Sequence, residues 1–134
     1  MSEADLLKMA FEVRSRAHVP YSKFSVGAAV LTKSGKIFTG CNIENVSFGL
    51  TICAERAAVA AAIAQGEKEL IIMAVVTDSS EPAVPCGACR QVMAEFNPAM
   101  KIVASTITGR RQEFNLGDLL PRARQGILDS FSNV

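Results

Sequence analysis

Apolar positions along the chain follow two different periods, and the changes between them predict where helices and strands lie. Between residues 6 and 17 they recur at helical spacing behind a capping-box pair, Ser2 and Asp5, which predicts a first helix that ends near His18. Residues 24–32 and 36–43 are β-rich and flank a short Lys-Ser-Gly link, so they predict a hairpin.

The remainder of the chain alternates helical and strand patterns. Residues 53–64 are small and apolar nearly all round, have strong helix propensity, and stop at Gln65 and Gly66. Strands are predicted at 69–77, 100–107 and 112–116, with a helix over 85–96 between the first two. Helices that alternate with strands after an initial hairpin indicate a layered α/β fold with a mixed sheet, in one domain over residues 1–134.

Composition excludes several classes of protein. The formal net charge is +1 and Lys and Arg form no run, which argues against a nucleic-acid binder and favours a small-molecule partner. No apolar run approaches membrane-spanning length, and the first residues lack a secretory-signal pattern. We therefore predict a cytoplasmic protein without a membrane partner. Thiols stay reduced there, so the four cysteines are interpreted as metal ligands or packing residues.

Two of those thiols stand close together in the stretch VPCGACRQ. Cys86 and Cys89 are compatible with half of a zinc site, a redox couple, or two small buried residues. A catalytic zinc takes three protein ligands and leaves the fourth position to water, so a zinc site requires one more ligand. The candidates are Cys41, Cys53 and His18, which is the only histidine.

Cys53 is favoured because Glu55 follows it two positions later at a predicted helix start. A carboxylate there lies beside the metal and can take a proton from the water that the metal activates. Cys-x-Glu followed by Pro-Cys-x-x-Cys is the all-cysteine form of the zinc deaminase signature. Cys41 lies in an alternating strand and is interpreted as a core residue, and His18 as a loop or surface residue.

Charge balance predicts a further participant. Helix N-termini at the three thiols favour thiolate, but three thiolates leave a zinc site with net negative charge and weaken the metal as an acid. Arg56, next to Glu55, is predicted to offset that charge by donating hydrogen bonds to a ligand sulfur. Arg90 is a weaker candidate for the same role.

The motifs PYSKFSVGAA, TGCNIEN, TICAERAA and PCGACRQV resemble those of the small homotetrameric cytidine deaminases of nucleoside salvage, over about residues 1–121. The resemblance implies a three-layer α/β/α sandwich with a five-stranded mixed sheet and Zn²⁺ as cofactor. It also implies a homotetramer whose pockets are shared between subunits. In that arrangement the alanine-rich helix would pack against its own sheet on one side and against another subunit on the other.

The resemblance also assigns roles residue by residue. The zinc ligands would be Cys53, Cys86 and Cys89, with Glu55 as the proton shuttle. The substrate-binding residues would be Asn42 and Glu44, which hydrogen-bond the ribose, and Phe24, an aromatic wall beside the pyrimidine.

The implied reaction is the hydrolytic deamination of cytidine and 2′-deoxycytidine to uridine and 2′-deoxyuridine, with release of ammonia. Glu55 would take a proton from water and deliver protons to the ring nitrogen and the departing amine. A blasticidin-type deaminase is the nearest alternative, and the NIEN stretch favours the plain nucleoside. A polynucleotide-editing deaminase would need a basic groove and exposed aromatics, whereas aromatics are 6% of this chain. A zinc-binding module without activity would leave Glu55 without a role.

Two positions depart from the family pattern. Phe48 stands where tyrosine is common, so any hydrogen bond of that phenol is lost. Arg124 stands where, three positions after Pro121, a neighbouring subunit usually lends an aromatic ring to the pocket. Three outcomes are open: Phe131 restores the ring, the pocket is wider near the reacting amine and tolerates substituents on it, or Arg124 faces solvent and activity is ordinary.

Overall fold

The computed structural model describes residues 2–125 and contains one five-stranded sheet with helices on both faces. The helices are α1 (Glu3–Val13), α2 (Ala54–Ala64), α3 (Gly87–Phe96) and the short α4 (Leu116–Leu119). The strands are β1 (Val26–Thr32), β2 (Ile37–Cys41), β3 (Leu70–Thr77), β4 (Lys101–Thr106) and β5 (Arg111–Asn115). The predicted α/β fold is confirmed.

The sheet is mixed, with the strand order β2-β1-β3-β4-β5. β3 and β4 are parallel, and the other three neighbouring pairs are antiparallel. The crossover between the parallel strands contains α3, so the carboxyl end of β3 lies next to the chain that leads into the N-terminus of α3. That edge of an open α/β sheet is where ligands commonly bind.

Side chains on alternate positions of the central strands divide the core into two layers. One face of β1 and β3 packs against α2 and α3 through a cluster that includes Ala28, Val30, Met73, Val75 and Met93. The other face packs against α1 through Leu6, Ala10, Ala29, Ala74 and Val76. The sheet is therefore the middle layer of an α/β/α sandwich, as predicted.

Two glycines allow the helices to lie directly on the sheet. A Cβ atom at Gly27 would lie 1.8 Å from the Ala10 carbonyl oxygen of α1. A Cβ atom at Gly40 would lie 2.4 Å from the Ala58 backbone nitrogen and 2.5 Å from the Ala54 carbonyl oxygen, both in α2. These contacts are with backbone atoms, so α2 has no room to accept a side chain beneath it.

The first helix ends earlier than the sequence pattern predicts. α1 stops at Val13, a 3₁₀ turn follows over Arg14–Arg16, and the backbone is then extended. His18 donates its amide to the Asn42 carbonyl at 3.0 Å and accepts from the Glu44 amide at 2.8 Å. The prediction of a helix to His18 was wrong because these bonds to a distant segment replace the helical ones.

The apolar surface also differs from expectation. The alanines of α2 that face the sheet are fully buried, and only the small side chains of Ala60 and Ala64 are exposed on this helix. The three most exposed large apolar side chains among the described residues lie instead in the loop between β2 and α2, where Val46 is 83% exposed, Leu50 67% and Phe48 59%. Within residues 2–125, no helix has both the length and the apolarity to cross a membrane.

Candidate active site

Three thiols meet where α2 and α3 begin. Cys53 immediately precedes α2, Cys86 immediately precedes α3, and Cys89 lies in the first turn of α3. The three Sγ atoms lie within 4.8 Å of one another, with 3.9 Å between Cys53 and Cys86 and 3.3 Å between Cys86 and Cys89. Tetrahedral zinc with Zn–S bonds of about 2.3 Å separates its sulfur ligands by about 3.8 Å. The donor set and its spacing therefore fit zinc.

The two remaining candidates for the third ligand lie elsewhere. Cys41, at the end of β2, is half-buried and not part of the thiol cluster. His18 is exposed and uses its backbone to pair with residues 42–44. Among the described contacts, the side chains of Cys53 and Cys86 accept no hydrogen bond from the first-turn backbone amides of their helices, in contrast to Ser2 at the start of α1.

The thiol cluster favours one thiolate before any metal binds. The pKa of Cys53 is lowered to about 5 by the hydrogen bond from Cys89 and, after that, by the bond from Arg56. The pKa of Cys89 is raised by the same bond to Cys53 and by burial. The helix dipoles at both starts add to the stabilisation of negative charge on sulfur.

Arg56 lies against the cluster. Its Nη2 donates to Cys53 Sγ at 3.6 Å and to the Thr51 carbonyl at 3.2 Å. Arg90, the weaker candidate for donating to a thiol sulfur, makes no such hydrogen bond among the described contacts. Its Nε donates to the Pro85 carbonyl at 2.7 Å and its Nη1 to the Leu119 carbonyl at 3.1 Å, so it ties the start of α3 to α4.

Glu55 is the buried acid of the site. It lies in the first turn of α2 and is only 6% exposed. Burial raises its pKa to about 7; the negative charge on Cys53 acts in the same direction, and Arg56 opposes it. A carboxyl group with a pKa close to neutral can both accept and return a proton, which suits a general acid and base.

A cavity of about 330 Å³ opens beside these groups. Its volume is within the range of small-molecule sites. Its lining includes Cys53 and Glu55, and the three residues predicted to bind substrate, Phe24, Asn42 and Glu44, line it as well. The sequence motifs at 24, 42–44 and 53–55 are thus brought to one place.

Asn42 and Glu44 are themselves held by the segment that precedes β1. Asn42 Oδ1 accepts from the Val26 amide at 2.9 Å, and its Nδ2 donates to the Phe24 carbonyl at 2.8 Å. Glu44 Oε1 accepts from the amides of Tyr21 at 3.0 Å and Ser22 at 3.1 Å. The Ser22 hydroxyl and then these two amides lower the pKa of Glu44 and keep it ionised.

The positions that depart from the family pattern lie at different distances from the cavity. Phe48 is exposed and lines its mouth. Arg124 is exposed and, among the described residues, does not line the cavity of its own chain. Phe131 lies outside the described residues.

Residues 1–106 match the family model described as the cytidine and deoxycytidylate deaminase zinc-binding region. The chain is 48% identical over 124 residues to a cytidine deaminase of Halalkalibacterium halodurans, which covers 92% of this chain and 94% of that relative. It is 45% identical over 114 residues to a cytidine deaminase of Mycobacterium tuberculosis, covering 85% of this chain and 83% of the relative. The crystal structure of cytidine deaminase from Burkholderia pseudomallei superimposes with a TM-score of 0.88 at 45% identity, over 91% of this chain and 98% of that one.

Proposed function

We propose a function for this chain on the premise that it belongs to the cytidine deaminase family: it hydrolyses cytidine and 2′-deoxycytidine to uridine and 2′-deoxyuridine and releases ammonia. The observation that carries this proposal is the cluster of three thiols with a buried carboxyl two residues from one of them, beside a cavity of nucleoside size. The chain is therefore an enzyme, a hydrolase of the C–N bond to the exocyclic amine.

Zinc is the cofactor, and we assign Cys53, Cys86 and Cys89 as its ligands. When bound, the metal supplies Lewis acidity that makes a water molecule nucleophilic near neutral pH. Arg56 offsets part of the negative charge of the ligand set through its bond to Cys53.

Glu55 performs the proton transfers. As a carboxylate it takes one proton from the attacking water and delivers it to the ring nitrogen next to the reacting carbon. It then takes the proton of the hydroxyl that has added to the ring carbon and transfers it to the amine. The amine leaves as ammonia, and the carbonyl of uridine forms. One water is consumed and one ammonia is produced, so the atoms balance. The burial that raises the pKa of Glu55 keeps it suited to both directions of transfer.

The remaining cavity residues orient the nucleoside. Phe24 provides an apolar surface for the flat pyrimidine, and Asn42 and Glu44 offer an amide and an ionised carboxylate to the sugar hydroxyls. The test is ammonia release from cytidine, 2′-deoxycytidine and a blasticidin-type nucleoside by the purified zinc-loaded protein. Release from the blasticidin-type compound alone would favour that alternative, and bound zinc without ammonia from any of them would favour a binding module.

We expect the enzyme to be a homotetramer, because large apolar side chains are exposed in the loop between β2 and α2, which also contributes Phe48 to the cavity lining. Light scattering should give four chains per particle. Leu50→Asp should dissociate it, whereas Phe11→Asp, at an exposed apolar position of α1 on the opposite face of the sheet, should not. A fully active monomer at assay concentration would contradict this expectation.

Arg124 leads to a prediction about substrate range. If it leaves the pocket wider near the amine, cytidines with alkyl or acyl groups on that amine should react within about tenfold of cytidine, since a steric penalty of about 1.4 kcal/mol already costs that factor. Arg124→Phe should lose these substrates selectively, and Arg124→Ala should keep them. Steady-state rates on matched substrate pairs decide the matter. Equal rejection of substituted cytidines by all three proteins would contradict a wider pocket.

A further inference from the structure

Residues 19–23, shortly before β1, form a tight turn with a strained backbone. Lys23 has a φ of 61° and donates its amide to the Val19 carbonyl at 3.0 Å. A left-handed backbone is unfavourable for a residue with a side chain such as lysine, so the surrounding contacts must maintain this conformation. Phe24, the residue that follows, lines the cavity.

Ser22 lies at the centre of those contacts. Its hydroxyl accepts a hydrogen bond from the Phe24 amide at 3.0 Å. Its own amide donates to Glu44 Oε1 at 3.1 Å. The Ser22 hydroxyl is also the largest cause of the lowered pKa of Glu44. Ser22 thus binds the Glu44 carboxylate through its amide and the backbone of Phe24 through its hydroxyl.

We propose that Ser22 is a positioning residue that couples the Glu44 carboxylate to the Phe24 ring, so that one turn sets both the sugar-binding and the base-binding side of the cavity. The inference rests on the proposed function, because Glu44 and Phe24 are assigned there as substrate contacts. Ser22 lines the cavity near these residues, but its role here is to hold them in place.

Loss of this coupling should affect KM and kcat differently. Glu44 is assigned to the sugar, which does not change during the reaction, and Phe24 to the face of the pyrimidine, where it takes no part in proton transfer or bond change. Their misplacement should therefore weaken the binding of substrate and of transition state by similar factors. Such a loss raises KM and leaves kcat nearly unchanged. A single hydrogen bond of this type is worth roughly a two- to tenfold change in affinity.

The test compares Ser22→Ala with Ser22→Thr, which keeps the hydroxyl. Ser22→Ala should raise KM for cytidine about fivefold with kcat within about twofold of the natural chain, and Ser22→Thr should recover most of the loss. Ser25→Ala is the matched control, because no side-chain hydrogen bond of Ser25 is present within residues 2–125. An unchanged KM in Ser22→Ala, or equal KM values for the alanine and threonine proteins, would overturn the proposal.

A double-mutant cycle separates coupling from direct substrate contact. If Ser22 acts partly through Glu44, Ser22→Ala should raise KM by a smaller factor in a Glu44→Gln protein than in the natural chain, and the contact with Phe24 accounts for the remainder. Multiplicative effects of the two substitutions would overturn the proposal.

A measurement without substrate keeps this test independent of deamination. Hydrogen exchange of the Phe24 amide should be faster in Ser22→Ala than in the natural chain. Tyr21 is the only tyrosine and the chain has no tryptophan, so a change in intrinsic fluorescence reports on this turn alone. If the natural chain released no ammonia, the proposed function would fail, while unchanged exchange at Phe24 in Ser22→Ala would instead overturn the coupling.

Discussion

Glu55→Gln should lower kcat on cytidine by about 10²- to 10⁴-fold while one zinc ion remains bound per chain. The amide has nearly the shape of the carboxyl group but cannot take a proton from water. Because Glu55 is not a member of the thiol cluster, its replacement leaves the three ligands intact. Ammonia release and metal analysis of the same preparation measure the two quantities together.

Two comparison variants make this result specific. Cys53→Ala should lose zinc as well as activity, because it removes one of three ligands. Glu95→Gln, at an exposed position of α3, should change neither. Zinc loss in Glu55→Gln, or full zinc occupancy in Cys53→Ala, would contradict the assigned roles.

Gly40→Ala should lower the free energy of unfolding by about 3 kcal/mol, which corresponds to a fall in Tm of roughly 10 °C for a domain of this size. The added methyl would overlap the backbone of Ala58 and Ala54 at 2.4 and 2.5 Å, and a backbone cannot rotate away as a side chain can. Because α2 also carries Glu55 and follows Cys53, displacement of the helix should weaken zinc retention and activity too. Thermal unfolding and zinc release to a chelator measure both effects.

Gly49→Ala is the matched control. Apart from its chain neighbours, no atom of residues 2–125 lies within 4 Å of a Cβ built on Gly49, so the same substitution there should leave Tm within about 2 °C of the natural chain. A Gly40→Ala protein that melts with the natural chain would show that α2 can move off the sheet without cost.

The grouping of the candidate site residues was largely predictable from the sequence, because the members of each pair lie close together along the chain. Cys53 and Glu55 are two positions apart, and Cys86 and Cys89 three, so a helix start is enough to place each pair on one side. The sequence also indicated that Arg56 would lie on a ligand sulfur, and it does. The spacing to Glu55 favoured Cys53 over Cys41 and His18 as the third ligand, but the distance from Cys53 to Cys86 and Cys89 depends on how α2 and α3 pack together.

The features that sequence analysis missed depend on contacts between distant segments. The end of α1 is set by the pairing of His18 with Asn42 and Glu44, which helical periodicity cannot register. The role of Ser22 is also long-range, since its amide bonds to a carboxylate 22 positions later. A polar residue between Tyr21 and Lys23, just before a predicted strand, was the one available signal for it. The exposed apolar loop was not predicted, because the density of apolar residues in α2 indicated an exposed apolar surface on that helix, whose sheet-facing side is in fact buried.

The absence of side-chain caps on α2 and α3 has a consequence for the lifetime of the protein in a cell. A cysteine at a helix start stabilises it less than serine or asparagine does, by about 1 kcal/mol, and here two such starts face each other. A metal bound by Cys53, Cys86 and Cys89 stabilises the starts of α2 and α3 together, so metal binding and local stability are linked. Under zinc limitation both helix starts should open together and become sites of proteolytic cleavage. The abundance of the enzyme, and not only its activity, would then follow the zinc supply.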